Sequence, residues 1–228
     1  LPNHLHVPWT VKSLQAGKHV LCEKPIGMNA QEAESLKKAA EQHPRLKVME
    51  AFMYKFHPQW LDVRSIVNSG KIGDMRYVQS MFTYHNVNPA DIRNQHTIGG
   101  GGLLDIGCYC ISLARFLFGE EPTHVSGAIE CDPIMHIDRL TSGIMEFPKG
   151  RSIFTCSTQL APHQHAHIVG TKGRIEIEFP FTPPAAAPTT ITYHTPSETK
   201  TITYPPCNKY TLQGDSFCRS IIDDTPVP

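Results

Sequence analysis

The sequence predicts an α/β protein: a short piece of parallel sheet, then an α+β unit with a large, mostly antiparallel open sheet. Three observations predict it. Helix, strand, helix and strand follow at short spacing over residues 1–55, the pattern of a parallel sheet. Beyond Pro122 nearly every segment reads as strand, several alternating with period two between Gly, Pro and charged turns. Between these regions Gly99-Gly100-Gly101-Gly102 runs straight into the apolar, helix-patterned stretch that ends at Phe118.

Taken in order, Pro2-Asn3-His4 reads as a turn and Thr10–Ala16 as a short helix stopped by Gly17. His19–Cys22 is a short apolar strand that ends in Glu23-Lys24-Pro25. Asn29 is the N-cap of the next helix, with Glu32 as the reciprocal partner of a capping box and Pro44 as its close. Leu46–Phe52 is a second buried strand. Pro58 opens a helix through Val67, Met75–Tyr84 is a long strand, and His85–Thr97 is a loop leading to the glycines. Seven strands then follow from Val125 to Tyr204, and Tyr210–Asp223 is a closing helix. Two strands cannot cover both faces of a parallel sheet. The pattern therefore predicts further strands before Leu1, a boundary near residue 55, and a second domain over residues 56–228.

Composition narrows the function. Lys plus Arg and Asp plus Glu are 21 each, so net charge gives no reason to expect nucleic acid or a membrane surface as partner. No uninterrupted apolar run approaches the roughly 18 residues of a membrane span, and Leu1-Pro2-Asn3-His4 lacks the basic start and apolar core of a signal peptide. The seven cysteines are scattered with no CxxC, which fits reduced thiols in the cytoplasm.

Two stretches carry candidate chemistry. Lys24 follows a parallel strand at its carboxyl end, where ligands bind in open α/β sheets, though a strand-end lysine can equally be a solvated one. Asp105 and Tyr109 are four apart, so a helix presents both on one face at the mouth of a glycine-rich entrance. That arrangement reads either as an acid/base site or as a tight turn with a core tyrosine whose hydroxyl Asp105 satisfies. The strand residues His163, His165 and His167 share a face, but no Cys, Asp or Glu lies close by in sequence to complete a metal set, and no metal is expected. A serine nucleophile elbow, a P-loop and GxGxxG are absent from the sequence.

Leu1-Pro2-Asn3-His4-Leu5-His6, Ala16–Pro25 with its Glu-Lys-Pro, Gly70-Lys71-Ile72-Gly73, Gly170-Thr171-Lys172-Gly173 and the Gly-rich Leu-Asp-Ile-Gly-Cys-Tyr stretch together resemble the Gfo/Idh/MocA family of glucose-fructose oxidoreductase and inositol dehydrogenase. The resemblance implies a Rossmann-type dinucleotide domain, a C-terminal domain with a large open sheet, and NAD(P)-dependent oxidation or reduction of sugars, polyols or diols. Tyr109 stands where most members carry His. This resembles the branch with NADP-dependent xylose dehydrogenase and dihydrodiol dehydrogenase, and implies NADP rather than NAD. By the same resemblance Pro2, Asn3, His6, Glu23, Lys24, Pro25 and Arg93 are expected at the cofactor, and Tyr54, His57, Arg93, Asp105 and Tyr109 at the substrate. It also implies a glycine-rich pyrophosphate loop before Leu1, a last helix and strand after Pro228, weak or no dinucleotide binding and no activity for residues 1–228 alone, and homo-oligomers formed through the sheet.

The expected chemistry pairs Lys24 with Tyr109. A phenol with a pKa of about 10 is a poor proton carrier at pH 7, and a nearby ammonium lowers that value by roughly 1–3 units. Asp105 is expected to orient rather than activate, because its charge raises the phenol pKa. Two readings compete: a non-catalytic oligomerisation or binding module, and NAD-dependent glycoside hydrolysis on the same scaffold.

Overall fold

The computed structural model describes all 228 residues. Helix α1 (His6–Gln15) leads to strand β1 (Val20–Cys22), helix α2 (Ala30–Glu41) and strand β2 (Val48–Glu50). β1 and β2 pair in parallel, Val20 beside Val48. Val7, Leu14 and Leu36 form a small core between the helices and this sheet. α1 starts four residues before the expected helix, because a 3-10 turn at Asn3–Leu5 runs directly into it and Pro8 occupies its first turn, where no backbone donor is needed. Asn29 caps α2 by accepting from the Glu32 N–H, as expected. Glu32 reaches back one residue further than a capping box requires, to the Met28 N–H.

A 3-10 turn (Met53–Phe56) leads to helix α3 (Pro58–Asn68) and strand β3 (Met75–His85). Helix α4 (Cys108–Phe118) follows, preceded by one π-helical turn at Leu103–Gly107. Strands β4 (His124–Cys131), β5 (Asp138–Phe147), β6 (Gly150–Ser157), β7 (Gln159–Gly170), β8 (Arg174–Ile177), β9 (Thr189–His194) and β10 (Thr199–Tyr204) then lead to helix α5 (Lys209–Ile222). β3 to β10 form one eight-stranded sheet in the order β10-β9-β8-β7-β3-β6-β5-β4, antiparallel except for the β3–β6 pair. The expected loop His85–Thr97 holds two 3-10 turns, Ile92–Asn94 and His96–Ile98, the first capped by Asp91.

The inner face of the large sheet carries the main core. Val78, Phe82, Phe154, Ile168, Ile175 and Ile191 meet Trp60 and Val63 of α3 and Cys110 and Leu113 of α4. Trp60 is fully buried and its indole N–H donates to the Pro180 carbonyl at 2.7 Å, so the largest side chain of the core leaves no polar group unmade. Each such buried side chain stabilises by about 1.5–3 kcal/mol. The segment His96–Phe118 is long and apolar enough to cross a bilayer, yet half of it is buried inside the fold. It is broken by Gly99 and Gly101 at positive φ, and its helical part is the core helix of the sheet.

The start of that helix is fixed from the sheet. Asp138, at the first position of β5, accepts from the Leu103 N–H at 2.5 Å and from the Thr141 hydroxyl at 3.1 Å. Gly101 has φ of 128°, and a Cβ there would overlap Asp138 Oδ1, so the chain passes over the carboxylate only as glycine. Burial pushes the Asp138 carboxyl up, while these hydrogen bonds and the helix N-terminus favour its charged form. Asp138→Ala leaves the Leu103 N–H without its acceptor, and urea unfolding should show a loss of about 1–3 kcal/mol.

Candidate active site

A cleft of about 480 Å³ opens between the carboxyl end of β1 and the start of the π turn before α4. Lys24 enters it from the β1 side, Asp105 and Tyr109 from the helix, Phe82 and Tyr84 from the end of β3, and Arg93 from a 3-10 turn. The two sheets are tied together across it. Lys24 Nζ donates to Asp105 Oδ1 at 2.9 Å and to the Asp105 carbonyl at 2.5 Å, each side chain being 14% exposed. The Asn3 amide donates to the Gly99 carbonyl at 2.7 Å. Gly99 has φ of 85°, and any Cβ there would press on Met28 and Asn3.

Asp105 gathers further donors. The Tyr84 hydroxyl donates to its Oδ2 at 2.6 Å, and Arg93 Nε lies 3.5 Å from the same oxygen. Burial first, then the Asp105 charge, holds the Tyr84 phenol above its usual range, so it stays protonated and donates.

Tyr109 departs from the sequence expectation. Its ring lies under the Lys24 ammonium, 5.2 Å from centroid to Nζ, but its hydroxyl points to Met53 Sδ at 3.5 Å. Burial pushes the phenol pKa up, with Cys108, Tyr210 and Asp105 adding in the same direction. Lys24 therefore meets the π face of Tyr109 and not its oxygen, and the expected lowering of the phenol pKa by the ammonium does not occur.

Of the other expected residues, Pro2, Asn3, His6, Glu23 and Arg93 line the cleft. Both His6 ring nitrogens face backbone carbonyls, Pro25 at 2.7 Å and Leu1 at 3.0 Å, so its ring is a brace behind the cleft wall. Pro25 is buried and does not line the cleft; its carbonyl serves as the partner of His6. Tyr54 and His57 do not line it either. Tyr54 is fully buried among Phe52, Trp60 and Phe181, its hydroxyl donating to Ser112. His57 caps α3 through Nδ1 and packs edge-on against Tyr204. Both belong to the bend around the 3-10 turn before α3, which closes on the core.

Tyr84, Met53, Phe82 and Tyr210 line the cleft and were missed by sequence reading. The signal for Tyr84 was period two: Val78, Ser80, Phe82 and Tyr84 fall on the inner face of one strand, the last at its end beside the glycine loop. The three histidines of β7 lie at the outward-facing positions opposite Thr83, Met81 and Gln79 of β3, where His163 and His165 hydrogen-bond to each other at 2.9 Å.

Residues 1–52 match the family model described as "Oxidoreductase family, NAD-binding Rossmann fold", and residues 60–176 the "GFO/IDH/MocA C-terminal domain". The chain belongs to the GFO/IDH/MocA oxidoreductase family. It is 39% identical to an uncharacterized oxidoreductase of Rhizobium meliloti, over the whole of this chain and 70% of that protein. It is 32% identical to a D-xylose 1-dehydrogenase (NADP(+)) of Haloferax volcanii, over 97% of this chain and 68% of that protein. Among solved structures, a 3-ketoreductase from Actinomadura kijaniata in complex with NADP and TDP-benzene superposes with a TM-score of 0.88 at 27% identity, over 99% of this chain and 70% of that one. The family's Rossmann-type parallel sheet and open second sheet are the two sheets described above.

Burial at the bend before α3 has a measurable consequence. His57 is 1% exposed and its pKa is pushed down to about 4 by burial, with Lys209 adding. The unfolded chain binds a proton near pH 6.5, so between pH 6.5 and 4 the unfolded state holds more protons and stability falls as pH falls. The loss amounts to about 3 kcal/mol by pH 4. His57→Asn keeps a capping acceptor and removes the titration, so its stability measured by urea unfolding should vary less over this window than that of the wild type.

Proposed function

We propose that the cleft transfers hydride between a nicotinamide dinucleotide, NADP in preference to NAD, and a hydroxyl or carbonyl carbon of a sugar, polyol or diol. The observation that carries this reading is Lys24, delivered by the end of a parallel strand and held against Asp105 of the second sheet at the mouth of an open cleft. NADP is the dinucleotide named with the Haloferax and Actinomadura relatives. The cleft suits the nicotinamide end of such a cofactor: it opens at the carboxyl ends of β1 and β2, between Pro2, Asn3 and Glu23 on one wall and Asp105 on the other. When bound, the dinucleotide supplies or accepts the hydride.

The chain's own residues handle the oxygen. A lysine ammonium has three N–H donors, and two of those of Lys24 go to Asp105. The third is available to the reacting oxygen, where the cation stabilises developing negative charge. Tyr109 is held neutral by burial, so it acts as a donor and not as a ready-made phenolate. Its hydroxyl exchanges a weak thioether contact for the substrate oxygen and, in the reductive direction, gives that oxygen its proton. Asp105 fixes Lys24, and half-exposed Arg93 offers a planar fork to substrate hydroxyls. Met53, Phe82 and the Tyr109 ring form an apolar wall for the carbon skeleton.

Three assignments accompany this reading. The domain boundary falls near residue 55, between the two matched segments. The seven unpaired cysteines fit a cytoplasmic setting. The outward-facing strand positions, with Met81, Ile144 and Ile153 partly exposed, form the surface through which copies pair.

On the full-length protein, a panel of aldoses, polyols and diols with NADP and NAD should yield substrate-dependent reduced dinucleotide, and more with NADP. No turnover across the panel would overturn the reading. Lys24→Ala should lower kcat by about 10²–10⁴-fold with dinucleotide affinity retained. Tyr109→Phe should lower kcat at least about tenfold with little change in thermal stability, since the lost contact is to sulfur. Near-normal turnover in either variant would remove that residue from the mechanism.

A further inference from the structure

We propose that Tyr84 is a positioning residue of this site: by donating to Asp105 Oδ2 it keeps the carboxylate turned toward Lys24 and away from Arg93. The role rests on the reading of Lys24 as the group that meets the substrate.

The geometry sets up a competition for one carboxylate. Asp105 Oδ1 faces Lys24 Nζ at 2.9 Å, while Oδ2 has the Tyr84 hydroxyl at 2.6 Å and Arg93 Nε at 3.5 Å. The carboxylate torsion of aspartate is broad and roughly two-fold, so a single partner does not fix it. Arg93 is the natural rival. It is always charged, it presents a fork that matches both carboxylate oxygens, and at 48% exposure it can shift toward them. Its hold on Asp105 is long because its other nearby carboxylate, Asp91, takes a share at 3.4 Å.

Tyr84 has what the task requires. It sits near the end of β3 at a register shift, between Thr83, which pairs with both β6 and β7, and His85, which pairs with Gln159 of β7, so its backbone is held on both sides. It is half-buried, and its phenol stays neutral beside the Asp105 charge, so it donates across the whole working pH range. It uses one lone pair of Oδ2 and blocks the bidentate approach of Arg93. Without that donor the carboxylate turns to the guanidinium, Lys24 loses its side-chain partner, and the ammonium no longer points its third N–H at the reacting oxygen.

The test reads Lys24 directly and needs no turnover. Full-length protein without cofactor is treated with acetic anhydride at limiting dose, and acetylation of Lys24 is followed by mass spectrometry in wild type, Tyr84→Phe, Asp105→Asn and the double variant. Tyr84→Phe should acetylate Lys24 severalfold faster than wild type. The double variant should match Asp105→Asn alone, because Tyr84 acts only through Asp105. Adding Arg93→Ala to Tyr84→Phe should slow acetylation back toward the wild-type rate, which a general loosening of the fold would not do. With substrate, Tyr84→Phe should lower kcat about tenfold with KM and dinucleotide affinity little changed. Wild-type acetylation in Tyr84→Phe, or an added effect in the Asp105→Asn background, would overturn the proposal. An inactive wild type would instead overturn the dehydrogenase reading, and the acetylation rates would still decide the role of Tyr84.

Discussion

Everything about the cleft depends on the ion pair between Lys24 and Asp105. It joins the end of one sheet to the core helix of another, and both side chains are mostly withdrawn from water. Such a pair survives only when its remaining donors and acceptors are met, because each partly buried ion otherwise carries a desolvation penalty of several kcal/mol. Here the Asp105 carbonyl, the Tyr84 hydroxyl and the face of Tyr109 complete the set. A fixed ammonium with one spare donor at the end of a parallel strand is the consequence.

The pair in turn demands that the helix start be placed accurately. The sequence spends four glycines and one half-buried carboxylate on this. Gly99 and Gly101 adopt backbone conformations that side chains resist, and Asp138 takes the N–H of Leu103 from across the sheet. The π turn at Leu103–Gly107 widens the helix where Asp105 projects, a distortion common at functional sites. Close backbone approach marks these few residues, while α4 beyond them is a regular core helix ended by Gly119 in the left-handed region.

Burial explains the main revision of the chemistry. A lysine and a tyrosine at one site suggest an activated phenolate, and that inference assumes that the cation meets the oxygen. The ring of Tyr109 is packed among Phe52, Phe82 and Phe181, which sets its hydroxyl toward Met53 and offers only its face to Lys24. A phenol in that setting is a donor. Tyr54 and His57 teach the same lesson: polar-looking side chains near a cleft were drawn into the core, where Ser112 and the α3 backbone satisfy them.

The sequence by itself determined the two-sheet plan, the family, and the halves of the site that lie within short motifs. Lys24 follows a strand and precedes a proline, and Asp105 and Tyr109 share a helix face; periodicity and punctuation are local properties and can be read without coordinates. Even the capping of α2 by Asn29 and the end of α4 at Phe118 were legible, since each depends on residues a few positions apart. Only the tertiary structure decided which atoms meet. The packing of the two sheets and of the turn before α4 brings Tyr84 to Asp105 across 21 residues and Lys24 to Asp105 across 81. Such contacts are fixed by how buried faces pack, and no spacing in the sequence encodes the direction in which a hydroxyl at the end of a strand, or on a core helix, finally points.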